Sequence, residues 1–299
     1  MALSSMTSRS AGDSITASDW DVVRNNIVLI TGTAEDSTQE GWGQSWSVYN
    51  PSAGATITDT NTNDIINAAQ DIAVYTGATN AISDVSNAAT IQDTDLNNTQ
   101  TTITNGYNAR TSAASSYLSQ ESKNTSTRTS SWSTTVTHDV SIAFSSEAHR
   151  NSYFNAGGSI YFTASRSGGS STDQNTDWTN MLSAIGTVKM NFTQVTASSG
   201  STTSLGMYDL TTSYQTIFEK AGSGSYSTNY YKIQAQAPNA SSIRFLITFG
   251  DSHTGRGYFD SVDGTLSSVV GNFRPNSGTL PNGNNVTVST PTYSTNSDL

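Results

Sequence analysis

Two hydrophobic periods divide this chain, and the change from one to the other constrains its fold more than any single motif. Toward the N-terminus Trp20, Val23, Ile27 and Ile30 recur at spacings of three and four, the apolar stripe of an amphipathic helix. After residue 131 the spacing becomes two. Val136, His138, Val140, Ile142 and Phe144 fall on one face of a strand, and Thr135, Thr137, Asp139 and Ser141 fall on the other. The sequence therefore predicts an α+β chain: a helical N-terminal docking region, then a mainly antiparallel β-sandwich, jelly-roll-like, with one inserted helix. Residues 1–125 are expected to form a helical and extended docking and oligomerisation region, 126–275 the β-sandwich, and 276–299 an extended C-terminal tail.

Within the first region, Ser18 followed by Asp21 matches a capping box with Asp in place of Glu, and Gly32 supplies a stop. "NDIINAAQDIAVYTG" aligns beneath "DWDVVRNNIVLITG" and places Ile65, Ala68, Ile72 and Tyr75 under Trp20, Val23, Ile27 and Ile30. This reads either as a degenerate duplication or as two unrelated amphipathic helices that both end in Thr-Gly. Between them "GWGQSWSVYNPSAGATIT" carries Trp42, Trp46 and Tyr49 in a Gly- and Pro-containing stretch, an ordered loop or arm whose rings need an anchor. The helix stripe Trp20, Val23, Ile27 and Ile30, with Trp42, Trp46 and Tyr49, is the candidate interface. From Ile91 to Lys123 the apolar positions thin to Ile91, Leu96, Ile103, Tyr107 and Leu118, which fits one or two weak helices or a linker, and "KNTSTRTSS" at 123–131 reads as a boundary.

The second region continues in strands through "SIYFTASR", "TVKMNFTQV", "YYKIQAQA", "SIRFLITFG" and "GTLSSVVGNF". "TDWTNMLSAIG" interrupts them with Trp178, Met181, Leu182 and Ile185 at helical spacing, closed by Gly186.

Composition limits the partners. Only 12% of residues are charged and the net charge is -10, so the lysines and arginines that phosphate binding requires are scarce and nucleic acid is not expected as a partner. With no cysteine there is no disulfide framework, no thiolate nucleophile and no Cys-ligated zinc. Residues Met1 to Gly12 are polar and lack a signal-peptide core, and no apolar run reaches the length of a membrane span, so no membrane partner is expected.

No cofactor, metal or catalytic residue is assigned. "GDSH" at 250–253 looks like the Gly-Asp-Ser-Leu block of one esterase family, but it follows a strand late in a β region, where a hairpin turn is the simpler reading of Ser252 and its neighbours. His138, His149 and His253 lack metal-ligand spacing, and His138 sits in an apolar register, as a hydrogen-bonded core histidine would. Asp260 and Asp263 of "DSVDG", even joined by Asp251, fall short of a calcium loop's ligand count. Among 23 acidic residues no pair is marked for glycoside hydrolysis.

The blocks "AHRNSYFNAGGSIYFTASRSGG", "DWTNMLSAIGTVKMNF", "YDLTTSYQTIF", "NYYKIQAQA", "IRFLITFGDSH" and "VDGTLSSVV", with "AGDSITASDWDVVRNNIVLITG" and "GWGQ" before them, resemble a module of tailed-phage virion proteins, particularly of marine cyanophages. The resemblance spans most of residues 12–275; one departure is the second helix, which ends "VYTG" where the pattern has a His-Gln pair. It implies a non-enzymatic structural component of tail, neck or fibre, synthesised in the host cytoplasm and located in the virion. Its partners would be copies of itself, with a trimer favoured from general fibre architecture, and other virion proteins. Alternatives are a host-glycan adhesin and, less simply, a depolymerase. In this setting Glu147 to Asn155 should form a short helix or turn laying Tyr153 and Phe154 into the sandwich, with His149 and Arg150 bonding the corner or crossing a subunit contact and Gly157 and Gly158 turning the backbone.

Overall fold

Thr16 opens the first helix. Its N–H and its hydroxyl both donate to the Asp19 carboxylate, at 2.8 and 2.7 Å, so the first turn carries an anion where backbone donors would otherwise go unpaired. The pair expected from sequence, Ser18 with Asp21, lies two residues too far along, because Thr-x-x-Asp and Ser-x-x-Asp satisfy one motif in overlapping registers. The computed structural model describes residues 3–10, 13–32, 40–50, 52, 54–87, 89–254 and 261–299. In it α1 spans Ala17–Thr31, α2 Asp59–Thr76, α3 Asp93–Asn108, α4 Glu147–Asn155 and α5 Asp173–Ile185.

The chain forms two compact units. One comprises residues 1–119, 151–158 and 274–289; the other comprises 120–150, 159–273 and 290–299.

In the first unit α1, α2 and α3 pack on one another, and each carries a buried stripe at helical spacing. Each is preceded by an isoleucine and a cap: Ile15-Thr16, Ile57-Thr58 and Ile91-Gln92. Each cap N–H is held from the third helical residue, Thr58 by Asn61 Oδ1 at 3.2 Å and Gln92 by Asp95 Oδ2 at 2.7 Å. Aligned on their stripes, Trp20, Val23, Asn26, Ile27 and Ile30 of α1 match Ile65, Ala68, Asp71, Ile72 and Tyr75 of α2, whose stripe starts one turn further from its cap, and Leu96, Thr99, Thr102, Ile103 and Gly106 of α3. Residues leading into all three helices line one cleft of about 490 Å³, so their N-terminal ends meet on one side of the unit. First-turn acids Asp19, Asp59, Asp93 and Asp95 offset the dipoles gathered there. Gly106 lets α2 and α3 close up, since a Cβ there would fall 2.3 Å from Ile72 Cγ2.

Twelve strands are described: β1 Leu118–Arg128, β2 Thr135–Ala143, β3 Ser159–Ser167, β4 Val188–Met190, β5 Val195–Thr196, β6 Ser201–Thr202, β7 Gln215–Ala221, β8 Tyr230–Asn239, β9 Ser242–Gly250, β10 Thr265–Thr279, β11 Asn285–Thr287 and β12 Thr292–Ser297. They make two antiparallel sheets, β1-β10-β3-β4-β5 with β11 beside β10, and β12-β2-β9-β8-β7-β6, so the fold is mixed α+β with a sheet-rich unit. The alternation read in "TVTHDVSIAF" is realised: Val136, His138, Val140 and Ile142 oppose Phe249, Ile247, Phe245 and Ile243 across β2 and β9, and all eight are buried. Phe162 on β3 meets Phe245 on β9 at 4.9 Å between ring centroids. The inserted helix α5 buries Trp178, Met181, Leu182 and Ile185, with Trp178 4.9 Å from Trp132, and ends at Gly186 with φ +63°.

Other expectations are corrected. Residues 123–131, read as a boundary, largely belong to a strand, β1; of the stretch from Ile91 to Lys123, Asp93–Asn108 is the expected helix, α3, and the end is the start of β1. Tyr153 and Phe154 are buried, but residues 151–158 belong to the helical unit and not to the sheets. The C-terminal stretch is extended, yet it is built into this chain's own sheets, with Tyr293 opposite Ile142 and Asn285 opposite Thr279.

Candidate functional site

The stripe expected to face a partner is turned inward. Trp20, Val23, Ile27, Ile30 and Trp42 are each at most 1% exposed, covered by the chain's own residues. Only Trp46 and Tyr49 of the candidate interface keep partial exposure. Periodicity locates an apolar face without naming what covers it, and here the cover is the sister helices.

The aromatic arm is anchored from both sides within the first unit. The Trp42 N–H donates to the carbonyl of Ile30 at 3.0 Å, and its indole Nε1–H donates to that of Arg110 at 2.9 Å. Its ring lies 4.8 Å from Tyr75, whose hydroxyl donates to the Ala156 carbonyl at 2.6 Å; burial pushes that phenol's pKa up, so it stays a donor. Trp46 Nε1–H donates to the Asn285 carbonyl at 2.7 Å, and the Gln44 side chain accepts from the Thr287 N–H at 3.3 Å. The arm thus joins the helices to the β10–β11 turn.

Polar residues inside the helix stripes fasten other segments, a role the sequence reading did not assign. At the three equivalent positions, Asn26 holds Ser4, Asp71 accepts the N–H groups of Asn282 and Asn284 at 3.1 and 3.3 Å, and Thr102 accepts that of Ala81 at 3.0 Å. A polar residue beside Ile27, Ile72 and Ile103 in otherwise apolar stripes was the available signal.

In the sheet-rich unit, His138 is buried between two polar groups. Nε2 lies 2.7 Å from Asn124 Oδ1, which can only accept, and Nδ1 lies 2.9 Å from the Ser268 hydroxyl, so the neutral ring donates at Nε2 and accepts at Nδ1. Burial lowers its pKa to about 4, which keeps it uncharged. His149 Nδ1 accepts from the Ser145 N–H at 3.1 Å, and its ring packs edge-on against Phe144 at 5.4 Å. Arg150, buried, has Glu147 at 3.8 Å, and burial lowers its pKa. Both sets of contacts lie within residues 144–150.

Among the described residues no hydrogen bond pairs the Ser252 hydroxyl of "GDSH" with a base. The Ser252 and His253 N–H groups both donate to Asn229 Oδ1 at 2.9 Å, the His253 ring packs against Tyr226 at 4.8 Å, and Asp251 accepts from Gln174 Nε2 at 2.7 Å. Asp263 is engaged by donors from this chain. It accepts from Arg166 Nη2 at 3.1 Å, the Ser170 N–H at 3.0 Å and Asn175 Nδ2; burial would raise its pKa, but bonds from Ser170 and Asn175 and the Arg166 charge hold it low. Arg166 also donates to the carbonyls of Asp263 and Asn175, clasping the entry to β10 onto the first turn of α5. Asp260 lies outside the described residues. Among the described residues no three His, Cys, Asp or Glu side chains gather as a metal site, and no helix is long and apolar enough to cross a membrane.

Comparison with protein-family models, with curated proteins and with solved structures finds no match.

Proposed function

We propose that this chain is a non-enzymatic structural subunit of a tailed-phage virion, in tail, neck or fibre, which assembles through repeated contacts with its own copies and with other virion proteins. One observation carries the reading: the buried polar side chains act as fasteners. Asn26, Asp71, Thr102, His138, Arg166 and Asn175 each bond a distant segment of the same chain. That use of polar groups suits a mechanical part, and it agrees with the resemblance of residues 12–275 to cyanophage virion modules. Low charge with abundant hydroxyl and amide surface suits wet interfaces that salt weakens little.

We read the two sheets as one sandwich, because Phe162 meets Phe245 and His138 reaches Ser268 across them. β1, β2 and β3 alternate between the sheets and β9 and β10 do the same, as in a jelly roll, whereas β7, β8 and β9 run as a meander. A homotrimer is the favoured assembly. Partly exposed Trp46 and Tyr49 are the part of the candidate interface still open to a neighbour.

The adhesin alternative draws on Tyr208, 39% exposed, with Phe192 packed 5.1 Å from it. Most other rings among the described residues of the sheet-rich unit are buried, which disfavours it. Glycan-array binding by the full chain would move the assignment to adhesion. Immunogold labelling of purified particles with antibody against the chain tests the structural reading; unlabelled particles would overturn it.

A further inference from the structure

Residues 3–10 lie across α1 and α3 as a strap held by its backbone. Asn26 on α1 accepts the Ser4 N–H at Oδ1 (2.9 Å) and returns its Nδ2–H to the Ser4 carbonyl (3.0 Å). Asn97 on α3 does the same for Arg9, accepting its N–H at 3.2 Å and donating to its carbonyl at 2.9 Å. Each asparagine thus reads both main-chain groups of one residue, the bonding a neighbouring strand would supply. Gln100, one turn beyond Asn97, accepts from Asn26 Nδ2 at 3.2 Å and ties the two clamps together. Arg9 alone adds a charged side-chain contact, to Asp19.

The strap's own side chains contribute little. Ser4, Ser5, Thr7, Ser8 and Ser10 are exposed, and Leu3, Met6 and Arg9 are partly covered. Lifting it unmakes four backbone bonds and one ion pair. The groove selects an extended backbone with Arg near one end, and the same segment of another copy offers the same contacts.

We propose that the groove between α1 and α3 is an arm-exchange site whose partner is the N-terminal strap of a second copy of this chain. Bonds within one copy and between copies are equivalent, so the choice is set by effective concentration. Copies crowded by assembly take up each other's straps, and an isolated chain keeps its own. The inference rests on the self-assembly reading and adds the surface and the segment that join the copies.

The test uses the full chain with a benzophenone amino acid at Met6, and in a second variant at the exposed Ser5, neither of which bonds to the clamps. Unlabelled and nitrogen-15 chains are refolded together in equal amounts, brought to the concentration at which they associate, irradiated and mapped by mass spectrometry. Exchange is expected to place about half of the strap-to-helix crosslinks between chains of different label. Oligomers whose crosslinks all join a single label would overturn the exchange and leave self-assembly standing. A chain that stays monomeric throughout would overturn both.

Discussion

Replacing His138 with Gln should remove a specific part of the acid sensitivity of this fold. The ring is fully buried, and its pKa falls from 6.5 to about 4 because burial disfavours the imidazolium. Between those values the unfolded chain binds a proton that the folded chain refuses. The neutral ring's contribution is therefore complete above the unfolded pKa and is lost as pH falls toward the folded one. Linkage puts the loss at about 2 kcal/mol between about pH 7 and pH 5, and about 3 kcal/mol by about pH 4. Urea titrations of both proteins at several pH values measure it. Carboxylates contribute alike to the two curves and cancel in the difference, apart from the neighbouring Asp139, whose charge slightly favours the imidazolium. The His138→Gln protein should be less stable at neutral pH and then lose less on acidification. Parallel curves, or a wild type that gains stability toward pH 4, would refute the reasoning.

Three further substitutions probe the packing and the site assignments. Gly106→Ala drives a methyl to 2.3 Å from Ile72 Cγ2 and should lower stability by about 1–3 kcal/mol in urea melts. Tyr75→Phe removes the donor to the Ala156 carbonyl and should cost about 1 kcal/mol by the same assay, with the helical circular dichroism unchanged. Ser252→Ala should alter stability by no more than about 0.5 kcal/mol and leave any ester hydrolysis by the preparation unchanged, because the residue is held through its N–H, which the substitution keeps.

Much of the fold is legible in the sequence because burial on one face imposes a period. α1, α2 and α5 and the inward faces of β2, β8 and β9 follow directly from apolar spacing. What escapes the eye has physical reasons. β1, "LSQESKNTSTR", is an edge strand whose hydroxyls and charges hide the alternation. In α3 the buried positions Thr99 and Gly106 are not apolar side chains, unlike Val23 and Ile30 of α1, so the stripe looks broken. The candidate interface was misjudged at Trp20, Val23, Ile27, Ile30 and Trp42 because an apolar stripe seals equally well against a partner or against sister helices. The clamps at Asn26 and Asn97 leave no pattern in composition, since reading a backbone requires only an amide in the right place.

The central claim is that this chain is a repeated mechanical part. Quantitative mass spectrometry of purified phage particles, with isotope-labelled peptides from α2 and β10 as standards, measures it most directly. The account expects several copies in every particle, in fixed ratio to the other virion proteins and retained through high-salt washing. Particles that form and infect with no copies aboard, while the chain stays in the lysate, would contradict it.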